Sequence, residues 1–145
     1  MKVVFLGSNP SALNDDPNVA FKGSASYPRL LKWIEFFKLN IDDVVLLNCS
    51  NRVLEKGEKL SDEDIDLSML KYIVQEDTKI VALGQIAAKA VEKLKLDFFV
   101  LPHPSPLNRM LNDEKALMVL LNQCRFWIHK DGSFNSITKT YLKAL

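Results

Sequence analysis

His103 sits among prolines in Pro102-His103-Pro104-Ser105-Pro106-Leu107-Asn108-Arg109. An imidazole changes charge near neutrality, and the three proline rings stiffen the loop that aims it. Far upstream, Gly7-Ser8-Asn9-Pro10-Ser11 offers a carboxamide and two hydroxyls in a turn-forming run. Asn48-Cys49-Ser50-Asn51 offers another carboxamide, able to present one donor and one acceptor to a polar edge. Gly84-Gln85 has the form of a turn opening a helix, and such N-termini attract anions. Taken singly, these read as an ordinary turn, a cap and a structural histidine. What they share is position, because each follows an apolar run.

Those runs are Lys2 to Leu6, Asp43 to Leu47, Lys79 to Leu83 and Asp97 to Leu101. None alternates with polar residues, so all four read as strands buried on both faces. Helical stripes lie between and after them. Leu30, Leu31, Ile34 and Phe37 form one, with Pro28 suited to the first turn. Ser61 and Asp64 resemble a capping box ahead of Ile65, Met69, Leu70 and Ile73. Ile86, Ala87, Ala90, Val91 and Leu94 make a third stripe, and Leu117, Leu120, Leu121, Cys124 and Ile128 a fourth. Alternating strands and helices predict a three-layer α/β/α fold around a four-stranded parallel sheet. In such a sheet all strand ends share one edge, where open α/β sheets bind ligands. The polar groups, spread along most of the chain, therefore meet in one crevice. Asp131-Gly132-Ser133 signals a turn, and Phe134 to Leu145 fits an extra C-terminal helix with Ile137, Tyr141 and Leu145 on one side.

Bulk properties set the outer bounds. At 145 residues and 48% apolar composition, the chain is expected to be one domain with a real core. Nineteen basic and 18 acidic residues leave a net charge of +1, so a nucleic-acid binder must gather its cations on one face. Cys49 and Cys124 form no CxxC pair and lie in apolar patterns, which predicts buried free thiols and no metal site. An all-cysteine iron–sulfur cluster needs four thiolates in the chain. The apolar run after Met1 is too short for a signal-peptide core, and no stretch has the length of a membrane span. A monomer in a reducing compartment is expected, cytoplasmic or nuclear and not secreted.

Gly7-Ser8-Asn9-Pro10-Ser11 resembles the first signature of the uracil-DNA glycosylase superfamily, closest to the mismatch-specific and single-strand-selective branches, which carry Gly-x-Asn-Pro-Gly. His103-Pro104-Ser105-Pro106-Leu107-Asn108 resembles the second signature, His-Pro-Ser-x-x-Asn/Ser. Leu46-Leu47-Asn48 resembles the middle segment, and Phe21 falls about where the family places an aromatic that stacks on the extruded base. The matches come in the family's order and cover roughly residues 1–128. Ser11 replaces the usual glycine, the chain is short for the family, and residues after Phe134 match nothing in it.

The resemblance implies hydrolysis of the N-glycosidic bond of uracil, or a related damaged base, in DNA. Neither a metal nor an organic cofactor is needed for that reaction. His103 would donate to the pyrimidine O2 and stabilise the departing anion, a contribution of about 3–4 kcal/mol for one such donor. Asn9 would hold the attacking water but is no efficient base, so turnover should be slow or depend on a good leaving group. Ser8, Phe21 and Asn48 would bind the base, Asn48 through uracil's N3–H and O4. Leu107 would fill the vacated space in the stack. Ser11, Gly84, Ser105, Asn108 and Arg109 would contact DNA, single- or double-stranded, with Lys22 and Arg29 extending the track. Three alternatives stay open. Hypoxanthine, 5-hydroxymethyluracil or mismatched thymine could be the base removed, with Ala12, Leu13 and Asn14 as candidates for the wall at C5. A catalytically inactive DNA- or nucleotide-binding module could use the same fold. An unrelated nucleotide-binding domain would need GxGxxG or a P-loop, and the chain has neither.

Overall fold

The computed structural model of the chain describes residues 2–9, 21, 23–55 and 57–130. The expected tail helix lies outside them, as do Ser11, Ala12, Leu13, Asn14 and Lys22. Four strands, β1 (Val3–Gly7), β2 (Val44–Asn48), β3 (Lys79–Leu83) and β4 (Phe99–Leu101), form one parallel sheet in the order β2-β1-β3-β4. Four α-helices are described: α1 (Tyr27–Phe36), α2 (Ser68–Ile73), α3 (Gln85–Glu92) and α4 (Glu114–His129).

Successive strand residues point to opposite faces, and both faces are buried along β1, β3 and β4. β2, at the edge of the sheet, is only half-buried, short of the full burial its apolar run predicts. Val3, Phe5, Val81, Leu83, Phe99 and Leu101 pack with α1 and α4 residues, including Leu30, Trp33, Leu121 and Trp127. Val4, Leu6, Ile80, Ala82 and Val100 pack with Leu70 of α2 and with Ala87, Ala88 and Val91 of α3. The result is the expected three-layer α/β/α arrangement. It explains why the strands read as continuous apolar runs. Burying one such side chain contributes about 1.5–3 kcal/mol, so each layer is held by several.

The boundaries differ where charge meets the core. β1 runs to Gly7 and β2 to Asn48, one residue beyond the sequence reading, because those two residues pair across the ladder. Lys2 is exposed, and Asp43 belongs to a 3₁₀ turn, Ile41–Asp43, whose Asn40 side chain accepts from the Asp42 N–H. β4 is shorter than expected and starts at Phe99, after the exposed Asp97.

Pro28 does lie in the first turn of α1. Leu31 leaves the expected stripe for the surface, and so does Ile86 at the start of α3. The second stripe is the largest departure. The Asp64 carboxylate accepts from the Ser61 N–H (2.9 Å) and hydroxyl (3.1 Å), but the turn it caps is a 3₁₀ turn, Asp62–Asp64. The Asp66 carboxylate then accepts from the Ser68 N–H at 2.9 Å and starts α2 afresh. The restart changes the phase of the helix, so Leu70 is buried while Met69 is 58% exposed.

Candidate active site

β1 lies between β2 and β3, and the chain leaves it toward β2 before returning to the other side. α1 covers one face and α2 and α3 the other. The carboxyl ends of β1 and β3 therefore bound a topological switch point, the usual ligand crevice of an open parallel sheet. Gly7-Ser8-Asn9, Asn48 and Gly84 all follow from strands at this edge, and β4 leads into His103.

Gly7 is what lets these groups close on one another. A Cβ there would lie 2.4 Å from Phe21 Cζ and 2.8 Å from Asn48 Oδ1. The bare backbone thus lets the edge of the Phe21 ring and the Asn48 amide both close over the space a side chain would fill. The Phe21 ring lies 6.2 Å from the His103 ring, centroid to centroid. Behind His103 stands Gly84, where a Cβ would meet His103 Cβ at 3.4 Å. Gly84 has φ +90°, a region that disfavours side chains, so glycine serves both clearance and conformation. First and last strand ends therefore reach the same place, with Phe21 spanning between them.

Phe21 is 5% exposed and belongs to the core cluster. It also has φ +69°, unusual for a bulky residue. Ser24 holds it there, with its N–H (2.9 Å) and hydroxyl (2.7 Å) both donating to the Phe21 carbonyl. Ser24 and Gly7 shape the site although neither stood among the expected site residues. A glycine closing a buried strand was the available signal for Gly7. Ser24 had none.

The carboxamides are held in place by their neighbours. The Ser8 hydroxyl donates to Asn9 Oδ1 at 3.0 Å. Beyond the ladder, the Cys49 and Ser50 N–H groups donate to the Gly7 and Ser8 carbonyls, keeping Asn48 beside β1. Further along, Arg52 bonds both oxygens of Asp64 at 3.2 Å and pairs with Glu58, tying down the segment beyond β2. Cys49 is buried and its thiol is pushed up to about 12 by burial, so it stays protonated and unreactive near neutrality.

The His103 ring is oriented from its own loop. The Ser105 N–H donates to His103 Nδ1 at 3.2 Å. Nδ1 must then be the bare nitrogen of the neutral ring, which puts the proton on Nε2. Burial holds the His103 pKa below its ordinary value, so the neutral ring prevails at pH 7. The other histidine, His129, ends α4 with Nε2 2.6 Å from the Phe37 carbonyl.

Further along the loop, Leu107 is 91% exposed and Arg109 is also exposed. Ser105 is half-buried, and its hydroxyl oxygen accepts from the Leu107 N–H. The Gly84 N–H donates to the Leu101 carbonyl, so later N–H groups of α3 would have to meet an anion. Arg29 is half-buried near the start of α1.

The family model described as the Uracil DNA glycosylase superfamily matches residues 1–124. The chain belongs to the uracil-DNA glycosylase superfamily. No curated protein matches it. The match runs from β1 into α4 and takes in every residue that forms this crevice. Uracil-DNA glycosylase superfamily membership carries a DNA glycosylase-like function, with DNA as the macromolecule acted on. Among the described residues, no helix is long and apolar enough to cross a membrane.

Depression of the His103 pKa has a measurable consequence. A proton added to the ring goes to Nδ1, where it faces the Ser105 N–H and breaks the bond that orients the ring. Any reaction that uses the neutral ring should therefore hold steady near neutrality and decline at acid pH, with a midpoint below the usual histidine value of about 6.5. Stability moves the same way. Below pH about 6.5 the unfolded chain binds more protons at this site than the folded one, so folding weakens as pH falls. A pH–rate profile and the His103 titration followed by NMR check both; a midpoint above the usual value would contradict them.

Proposed function

We propose that this protein hydrolyses the N-glycosidic bond of uracil, or a closely related pyrimidine, in DNA after drawing the nucleotide out of the helix. One observation carries the reading. A neutral histidine with its proton on Nε2 shares the switch-point crevice with Phe21, Gly7 and the Asn48 amide.

In this scheme the bond between C1′ and the base nitrogen breaks, and its electron pair leaves with the base. The negative charge spreads onto O2, where the Nε2–H of His103 stabilises it. Water held by Asn9, whose carboxamide the Ser8 hydroxyl orients, delivers its oxygen to C1′; the proton it sheds passes to solvent, and the released base anion takes up a proton in turn. Asn9 has no charge to draw that proton away, so the reaction leans on the leaving group. Uracil departs more readily than thymine, which carries an electron-donating methyl group. Asn48 can accept from uracil N3–H and donate to O4, whereas cytosine offers the opposite polarity. Phe21 would lie against the extruded ring. Leu107, almost wholly in water on the loop of His103, would serve as the wedge for the gap in the stack. Ser105 and Arg109 would steady the phosphates.

Base release measured on U:G, U:A, T:G, hypoxanthine and hydroxymethyluracil oligonucleotides, single- and double-stranded, tests the proposal. Uracil should be released fastest and thymine slowest. Salt-dependent binding with no release from any of them would leave a DNA-binding module instead.

A further inference from the structure

Asn108 has the place of a DNA contact in the signature, yet both ends of its carboxamide are taken up inside the loop. Its Nδ2–H donates to the His103 carbonyl at 2.9 Å. Its Oδ1 accepts from the Met110 N–H at 3.1 Å, which caps the 3₁₀ turn Arg109–Asn112. Its backbone N–H donates to the Ser105 carbonyl at 3.0 Å. Ser105 is the residue whose own N–H orients the His103 ring. The Asn108 side chain thus joins the residue bearing the imidazole to the first turn after the loop, while its backbone holds the residue that fixes the tautomer. Leu111 in that turn is buried in the core, so the chain of bonds ends on rigid ground.

We infer that Asn108 is a positioning residue for His103 and not a contact to DNA. The inference rests on the glycosylase reading for its catalytic consequence, but its structural half stands apart. Without the bond to the His103 carbonyl, the loop between His103 and Asn108 relaxes. The ring nitrogen then drifts from the Ser105 N–H, and the Nε2–H tautomer loses its preference. Misplacing a catalytic group by about 1 Å can cost on the order of a hundredfold in rate.

Two variants separate the bonds. Asn108→Asp keeps an oxygen for the Met110 N–H, a good cap that preserves the fold, but sets a carboxylate against the His103 carbonyl. Asn108→Ala removes both bonds. Base release should fall by about 10–100-fold in either variant, with KM unchanged within about twofold. Affinity for an uncleavable 2′-fluorouridine oligonucleotide, and its salt dependence, should match the parent protein. In ¹⁵N spectra of the free protein, the His103 signals should move from a bare Nδ1 toward a mixture of tautomers. Unchanged release with weaker, less salt-dependent binding would make Asn108 a phosphate contact and overturn the inference. A parent-like His103 spectrum in both variants would overturn it too. If the parent protein releases no base, the proposed activity fails, while the ¹⁵N spectra still decide the role of Asn108.

Discussion

Replacing His103 with alanine should lower the rate of base release by about 10²–10³-fold, equivalent to about 3–4 kcal/mol of barrier. The size reflects what the imidazole does. In the proposed mechanism it offers one aligned hydrogen bond to an oxygen whose charge grows as the bond breaks, at a partly buried site where water is a poor substitute. Substrate affinity should change little, because the interaction strengthens mainly in the transition state. The fold should survive. The Ser105 N–H loses its acceptor, a cost of about 1–3 kcal/mol if no water replaces it. Single-turnover release from a uracil oligonucleotide, beside a thermal melt, checks both halves. A loss smaller than about tenfold in a folded variant would remove His103 from the chemistry.

Gly7→Ala should damage both stability and activity, for a steric reason. Its methyl group would overlap Phe21 Cζ at 2.4 Å and crowd Asn48 Oδ1 at 2.8 Å. Neither neighbour is a loose surface side chain. Phe21 is a core residue, anchored through Ser24. Asn48 ends a strand paired to Gly7 itself. Overpacking of this kind typically costs about 1–3 kcal/mol of stability. The pushed ring and amide are also the two groups proposed to grip the base. Catalytic efficiency on uracil should therefore drop at least about tenfold, most of it in KM, a shift of about 1.4 kcal/mol. Denaturant unfolding and steady-state kinetics on the same preparation give the two numbers. Parent-like values for both would mean that the crevice is more yielding than its contacts imply.

The strands were legible because both faces of the sheet are covered, which forces unbroken apolar runs such as Val3 to Leu6 and Ile80 to Leu83. The edge that gathers Gly7, Asn48, Gly84 and His103 was legible for a related reason. Once the runs are parallel strands, the loops leaving their carboxyl ends must lie together. Local competition was harder to read. Ser61 and Asp64 form the bonds of a capping box, yet Asp66 captures Ser68 and restarts the chain, throwing Met69 onto the surface. The left-handed backbone of Phe21 has no mark in its sequence, since the Ser24 bonds that stabilise it are one choice among many for a serine. Asn108 shows the deeper limit. Its motif places it at the site, but whether its amide faces outward or back to the His103 carbonyl depends on how six residues of loop close.

The central place of β1 bears on how the molecule is made. Its five buried residues precede both of their partners in the chain, pairing with Val44–Asn48 on one side and with Lys79–Ala82 on the other. Such distant pairing slows folding. One edge of this apolar ribbon therefore stays uncovered until β3 has been translated, a period in which aggregation competes. His103 follows the last strand, so the crevice is complete only once β4 has docked on β3.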